Sequence, residues 1–124
     1  MTRLLALSVG TGFLAACGTG PGACTLDVQP GIVVEIRDAF DDAPLAEHAR
    51  GSARDGEFVD SLQPYGSVAN GTLISRAGAY ERAGDYTVTV EHDGYFAWET
   101  RAQVQGDDCH VRTENFSVHL HRLP

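Results

Sequence analysis

No stretch of this chain keeps helical periodicity over three turns, and no apolar run reaches the roughly 20 residues that a membrane-spanning helix needs. Both absences argue against a helical fold and a permanent transmembrane segment. Catalytic signatures are missing as well: there is no GxSxG nucleophile elbow, no HExxH, no CxxC, and no EF-hand spacing among the aspartates. Basic residues are few, with nine Lys+Arg against 17 Asp+Glu and a formal charge of −8. Such a surface repels phosphate backbones and anionic headgroups, so nucleic acid is not an expected partner. The expected protein is not an enzyme and uses no cofactor.

The N-terminus carries Arg3, an uncharged and largely apolar run from Leu4, and then Leu14-Ala15-Ala16-Cys17. That is the layout of a bacterial lipoprotein signal: a short h-region broken by Gly10 and Gly12, then small residues directly before a cysteine. On this reading residues 1–16 are removed and Cys17 becomes an acylated N-terminus that holds the protein on a membrane of the cell envelope. An ordinary secretory signal cut near Ala16 is the alternative. Gly18, in place of an Asp after the cysteine, favours the outer membrane in a two-membrane bacterium. What remains after residue 16 is long enough for one domain and too short for two.

With Cys17 given to lipid, Cys24 and Cys109 remain, and an exported location is where disulfides form and persist. They are expected to pair, stabilising the fold by about 4 to 5 kcal/mol in the chain-entropy picture. A metal site or a reactive thiol is the competing reading, and His110 is the basic neighbour it would use. Residues 17–31, rich in glycine and proline, read as a lipidated tether, and residues 32–124 as the domain.

The domain reads as short strands. Ile32 to Arg37 form a first, followed by a turn at Asp41-Asp42-Ala43-Pro44 and a weak strand around Ala49 to Arg54. Asp55-Gly56 turns back into Glu57 to Leu62, a polar loop runs through Pro64 and Gly66, and Asn70-Gly71 makes a tight turn before Thr72 to Tyr80. Tyr86, Val88 and Val90 then alternate with Thr87, Thr89 and Glu91, the pattern of a strand with one buried face. Asp93-Gly94 turns into a strand whose inner face would hold Phe96, Trp98, Thr100, Ala102 and Val104. Val111, Phe116, Val118 and Leu120 supply the last, with a register break near Glu114-Asn115. About seven strands at such intervals predict an all-β, seven-stranded antiparallel sandwich.

Gly31-Ile32-Val33-Val34-Glu35-Ile36-Arg37-Asp38 with Ala43-Pro44-Leu45-Ala46, and later Ala83 to Val90 with Asp93-Gly94-Tyr95, resembles the carboxypeptidase regulatory-like domain. The resemblance covers about residues 31 to 121 and implies a transthyretin-like, immunoglobulin-like sandwich used as a non-catalytic module. Two features depart from it: the insertion-like segment Pro64 to Tyr80 and the Cys24 and Cys109 pair. Transthyretin-like folds include a 5-hydroxyisourate hydrolase, which makes a hydrolase the weakest alternative here. That enzyme ends in Tyr-Arg-Gly-Ser, whereas this chain ends His119-Leu120-His121-Arg122-Leu123-Pro124.

His119 and His121 share one face of a strand and could chelate a transition metal together with His110, His92 or a carboxylate. That makes a periplasmic metal-binding protein the runner-up. The simpler reading is a wet strand face opposite Phe116, Val118 and Leu120. Asp41-Asp42 and Asp107-Asp108 read as solvated turn formers before they read as weak calcium ligands. Tyr95, Phe96 and Trp98 crowd one turn and could rim a site for sugar or peptide, although core packing accounts for Phe96 and Trp98. Tyr65, Tyr80 and the loop between them are the other candidate surface. The sequence thus predicts a monomeric, lipid-anchored binding or structural module of the envelope, with an envelope protein or a glycan as its partner.

Overall fold

The structure, a computed structural model, describes residues 24–124, so Cys17 and the proposed signal lie outside the described residues. Period-two alternation is plainest in the first and sixth of eight strands, which run in the order β1 Ile32–Asp38, β2 Arg50–Asp55, β3 Phe58–Ser61, β4 Gln63–Ala69, β5 Thr72–Gly78, β6 Gly84–Glu91, β7 Trp98–Val104 and β8 Glu114–Leu120. They form two four-stranded sheets, β4-β5-β1-β8 and β3-β2-β6-β7. The chain changes sheet after β1, β3, β5 and β7, and β8 returns to lie beside the first strand.

Strand β1 shows the logic most plainly. Ile32, Val34 and Ile36 are fully buried while Val33, Glu35 and Arg37 alternate outward. Tyr86, Val88 and Val90 of β6 face them from the other sheet with Ala53, Ala102 and Val104, while Val118 and Leu120 of β8 extend the layer of β1. Each Val or Leu buried in this way contributes about 1.5 to 3 kcal/mol relative to exposure. Tyr86 enters the core because its hydroxyl is satisfied there, donating to the Arg82 carbonyl at 2.7 Å.

Four expectations from the sequence need correction. The sandwich has eight strands, because residues 63–69, read as a loop on account of Pro64 and Gly66, form β4. An edge strand tolerates both residues: Pro64 needs no outward donor, and Gly66, at φ 75°, sits where the pairing with β5 shifts between Tyr65 and Val68. The pairing is not wholly antiparallel either, since β8 runs parallel to β1 from Ile32↔Glu114 to Asp38↔Leu120. Phe96 is 55% exposed, because β7 begins only at Trp98, which rests edge-on against Phe116 with ring centroids 5.9 Å apart. Val111 is buried but precedes β8, held by a lone bridge to Gly106.

Arg76 pins two of the sheet-changing connections. From β5 its guanidinium donates to the carbonyls of Ala46 at 2.6 Å, Leu62 at 3.1 Å and Glu47 at 3.1 Å. A cation placed among carbonyls with no carboxylate beside it is disfavoured by burial, which lowers its pKa.

The strand directions give the sandwich two distinct poles. At one, the start of β1 meets the end of β5, and the Cys24–Cys109 disulfide closes a separation of 85 residues with an S–S distance of 2.02 Å. Residues 24–31 are tied down there. Thr25 Oγ1 lies 2.9 Å from His110 Nε2, His110 Nδ1 lies 2.6 Å from Glu81 Oε1, and that carboxylate also accepts from the Gln29 amide at 2.8 Å. Gly31 must be glycine, since a Cβ would stand 2.6 Å from the Ala79 carbonyl oxygen that its own amide contacts. The other pole lies past the end of β1, about 20 Å away at the usual rise per strand residue.

Candidate functional site

The far pole is built around Asp38, the last residue of β1. Alternation points its side chain inward with Ile32, Val34 and Ile36, and it is 1% exposed. A carboxylate survives there only if its oxygens are bonded. Oδ2 accepts from the Tyr95 hydroxyl at 2.5 Å and from Arg122 Nε at 2.7 Å, while Oδ1 accepts from the amides of Phe40 at 2.7 Å and Asp41 at 3.2 Å. The Tyr95 bond above all, then Arg122 and the two amides, hold the Asp38 carboxyl well below its ordinary pKa against the opposing effect of burial. The same Asp38 bond, joined by burial, raises the Tyr95 phenol.

This network fixes three segments remote in sequence. The turn after β1 is stiff: Asp42 N donates to the Asp38 carbonyl at 3.0 Å, and Ala43 N to Asp41 Oδ1 at 3.0 Å. Asp42 itself sits at φ 62°, a conformation that Asp tolerates through local hydrogen bonding. The β6–β7 connection is bound to the C-terminal tail through Phe96 N to the His121 carbonyl and Leu123 N to the Gly94 carbonyl, both at 2.9 Å. Arg122 links tail and turn, with one guanidinium nitrogen 3.1 Å from Asp41 Oδ2 and its carbon 5.3 Å from the Phe40 ring centroid.

On this rigid frame stand exposed apolar side chains. Phe40 is 85% exposed, Phe96 55% and Leu123 49%. Between the turn and the tail lies a cleft of about 310 Å³ lined by Ala39, Phe40, His121 and Arg122. Phe40, Phe96 and Leu123 each thus present a large apolar side chain from a segment whose backbone is hydrogen-bonded. A groove of about 430 Å³ between residues 47–51 and 61–63 is larger, but its floor is Arg76 in its structural role.

No protein-family model and no curated protein matches this chain.

The candidates read from sequence are scattered by the fold. Tyr65 lies on edge strand β4 opposite Ser75, and Tyr80 follows β5 toward the disulfide pole; they are 36% and 40% exposed. Burial, with Tyr65 and Asp60 nearby, raises the Tyr80 phenol. Tyr95 is at the opposite pole, half-buried, with its hydroxyl committed to Asp38, so it braces the cleft and does not form a free rim. His119 is exposed on the outer face of β8, with Nε2 3.4 Å from Asp42 Oδ1, whereas His121 follows the strand and lines the cleft. Among the described residues no group of three or more His, Cys, Asp or Glu side chains is arranged to hold a metal ion. Cys24 and Cys109 are paired. Sequence reasoning missed Asp38, Phe40 and Arg122; the one local signal was an aspartate ending a strand of otherwise inward apolar residues.

Proposed function

We propose that this protein is a non-catalytic binding module of the carboxypeptidase regulatory-like type, anchored to the bacterial envelope through Cys17 and engaging its ligand at the cleft between Phe40 and His121. The observation that carries this reading is the cleft beside the exposed Phe40 ring, at the pole opposite the disulfide. A chain tethered ahead of Cys24 holds the disulfide pole toward the membrane and presents the far pole to whatever lies beyond. The Asp38, Tyr95 and Arg122 network supports the reading, because rigid presentation lowers the entropy cost of binding.

Titration of the isotope-labelled domain with indole, a neutral aromatic probe, tests the site. Amide shifts are expected at Ala39, Phe40, His121 and Arg122, and their loss in Phe40→Ser. Shifts confined to other surfaces, or unchanged in that variant, would remove the cleft from consideration. For the anchor, Cys17→Ser is expected to abolish acylation and release the protein from the membrane fraction; retention of both would end the lipoprotein reading.

A further inference from the structure

Resting on the cleft as binding site, we propose that its occupant is a cationic polypeptide segment: an apolar side chain seated against Phe40, with flanking arginine or lysine facing the carboxylates around it. The apolar part of the recognition is the exposed Phe40, Phe96 and Leu123. The charge of the pole selects the rest. Arg122, the cation lining the cleft, is already shared between Asp38 and Asp41, at 2.7 and 3.1 Å. Arg50, on the strand beside the β6–β7 turn, is divided in the same way between Asp93 at 3.2 Å and Glu91 at 4.0 Å. Each guanidinium therefore serves two carboxylates, which leaves negative charge in excess at this pole.

Asp42 adds to that excess. Its side chain is 69% exposed; its basic neighbours are the His119 imidazole at 3.4 Å and the Arg37 guanidinium at 3.9 Å, the latter bound more closely to Glu35 at 2.6 Å. An anionic ligand would meet no free guanidinium in the cleft and would approach a chain of formal charge −8. A cationic one is steered in by the same field, and its donors find carboxylate oxygens on the exposed sides of Asp42 and Asp93. The bonded turn at residues 39–43 fixes the backbone from which the exposed Phe40 ring projects toward an apolar anchor.

Two short synthetic peptides test this, each with a central Leu-Phe pair, one flanked by arginines and its twin by glutamates. Calorimetric titration at low ionic strength is expected to show the arginine peptide binding at least about tenfold more tightly, with the gap narrowing in high salt. Phe40→Ser, which leaves every charge in place, is expected to abolish its binding, and Asp42→Asn with Asp93→Asn to weaken it severalfold. Equal affinity for both peptides with amide shifts at the cleft would overturn the cationic partner while leaving the cleft as binding site. Arginine-peptide binding that survives Phe40→Ser would show diffuse charge attraction and overturn the proposal, as would no binding of either peptide.

Discussion

Asp38 does more to shape the far pole than any other residue, and its ionisation links that pole to pH. Its folded pKa is depressed, so the stability it contributes is fully present above its ordinary value of 3.8 and is lost as the pH falls toward the lower folded value. Glu81 at the disulfide pole behaves alike, lowered chiefly by the Gln29 amide and then by His110. Acid unfolding is therefore expected to set in below about pH 4. Tyr95→Phe removes the largest contribution holding Asp38 down, so its acid transition, followed by circular dichroism, is expected to move to higher pH. An unshifted transition would show that the phenol bond does not stabilise the carboxylate. Of this network only the aspartate that ends β1 carries a local sequence signal. Asp38, Tyr95 and Arg122 lie up to 84 positions apart, and they meet because β8 returns beside β1 and the β6–β7 connection bonds to the tail that follows β8.

Among the elements, those with strict alternation were readable and those at edges were not. Tyr86, Val88 and Val90 of β6 face inward as their spacing requires, because β6 is central in its sheet and buried on one face. Asn70-Gly71 turns β4 into β5 with both residues at positive φ, 51° and 78°, the geometry that dipeptide favours. Strand β4 is hidden in sequence because Pro64 and Gly66 are breakers in a central strand, and their tolerance at an edge depends on pairings that local sequence does not carry. The register of β6 makes a sharp prediction. Val88→Asp buries an unpaired charge opposite Ala53 and is expected to cost more than about 4 kcal/mol or abolish folding. Thr87→Asp, one position along, places its carboxylate on the outer face between Arg54 and Arg101 and is expected to lie within about 0.5 kcal/mol of the parent. Chemical denaturation decides it, and similar losses in both variants would refute the register.

At the scale of the whole molecule, the pairing of Cys24 with Cys109 could be read from sequence because the expected lipid signal sets Cys17 aside, and the pairing is present. The polarity of the domain could not, since it depends on where β1 starts and ends relative to the staple and the aromatic cluster. Tether at one pole and binding surface at the other is the central claim, and a distance measurement on the anchored protein tests it most directly. The chain carrying the proposed Cys17 lipid is reconstituted on vesicles containing headgroup spin-labelled lipid, with a fluorescent amino acid at Val28 or at Phe40, positions 63% and 85% exposed. The label at Val28 is expected to be strongly quenched and that at Phe40 nearly unquenched, since β1 alone separates the poles by about 20 Å. Equal quenching at both positions, or stronger quenching at Phe40, would contradict the account.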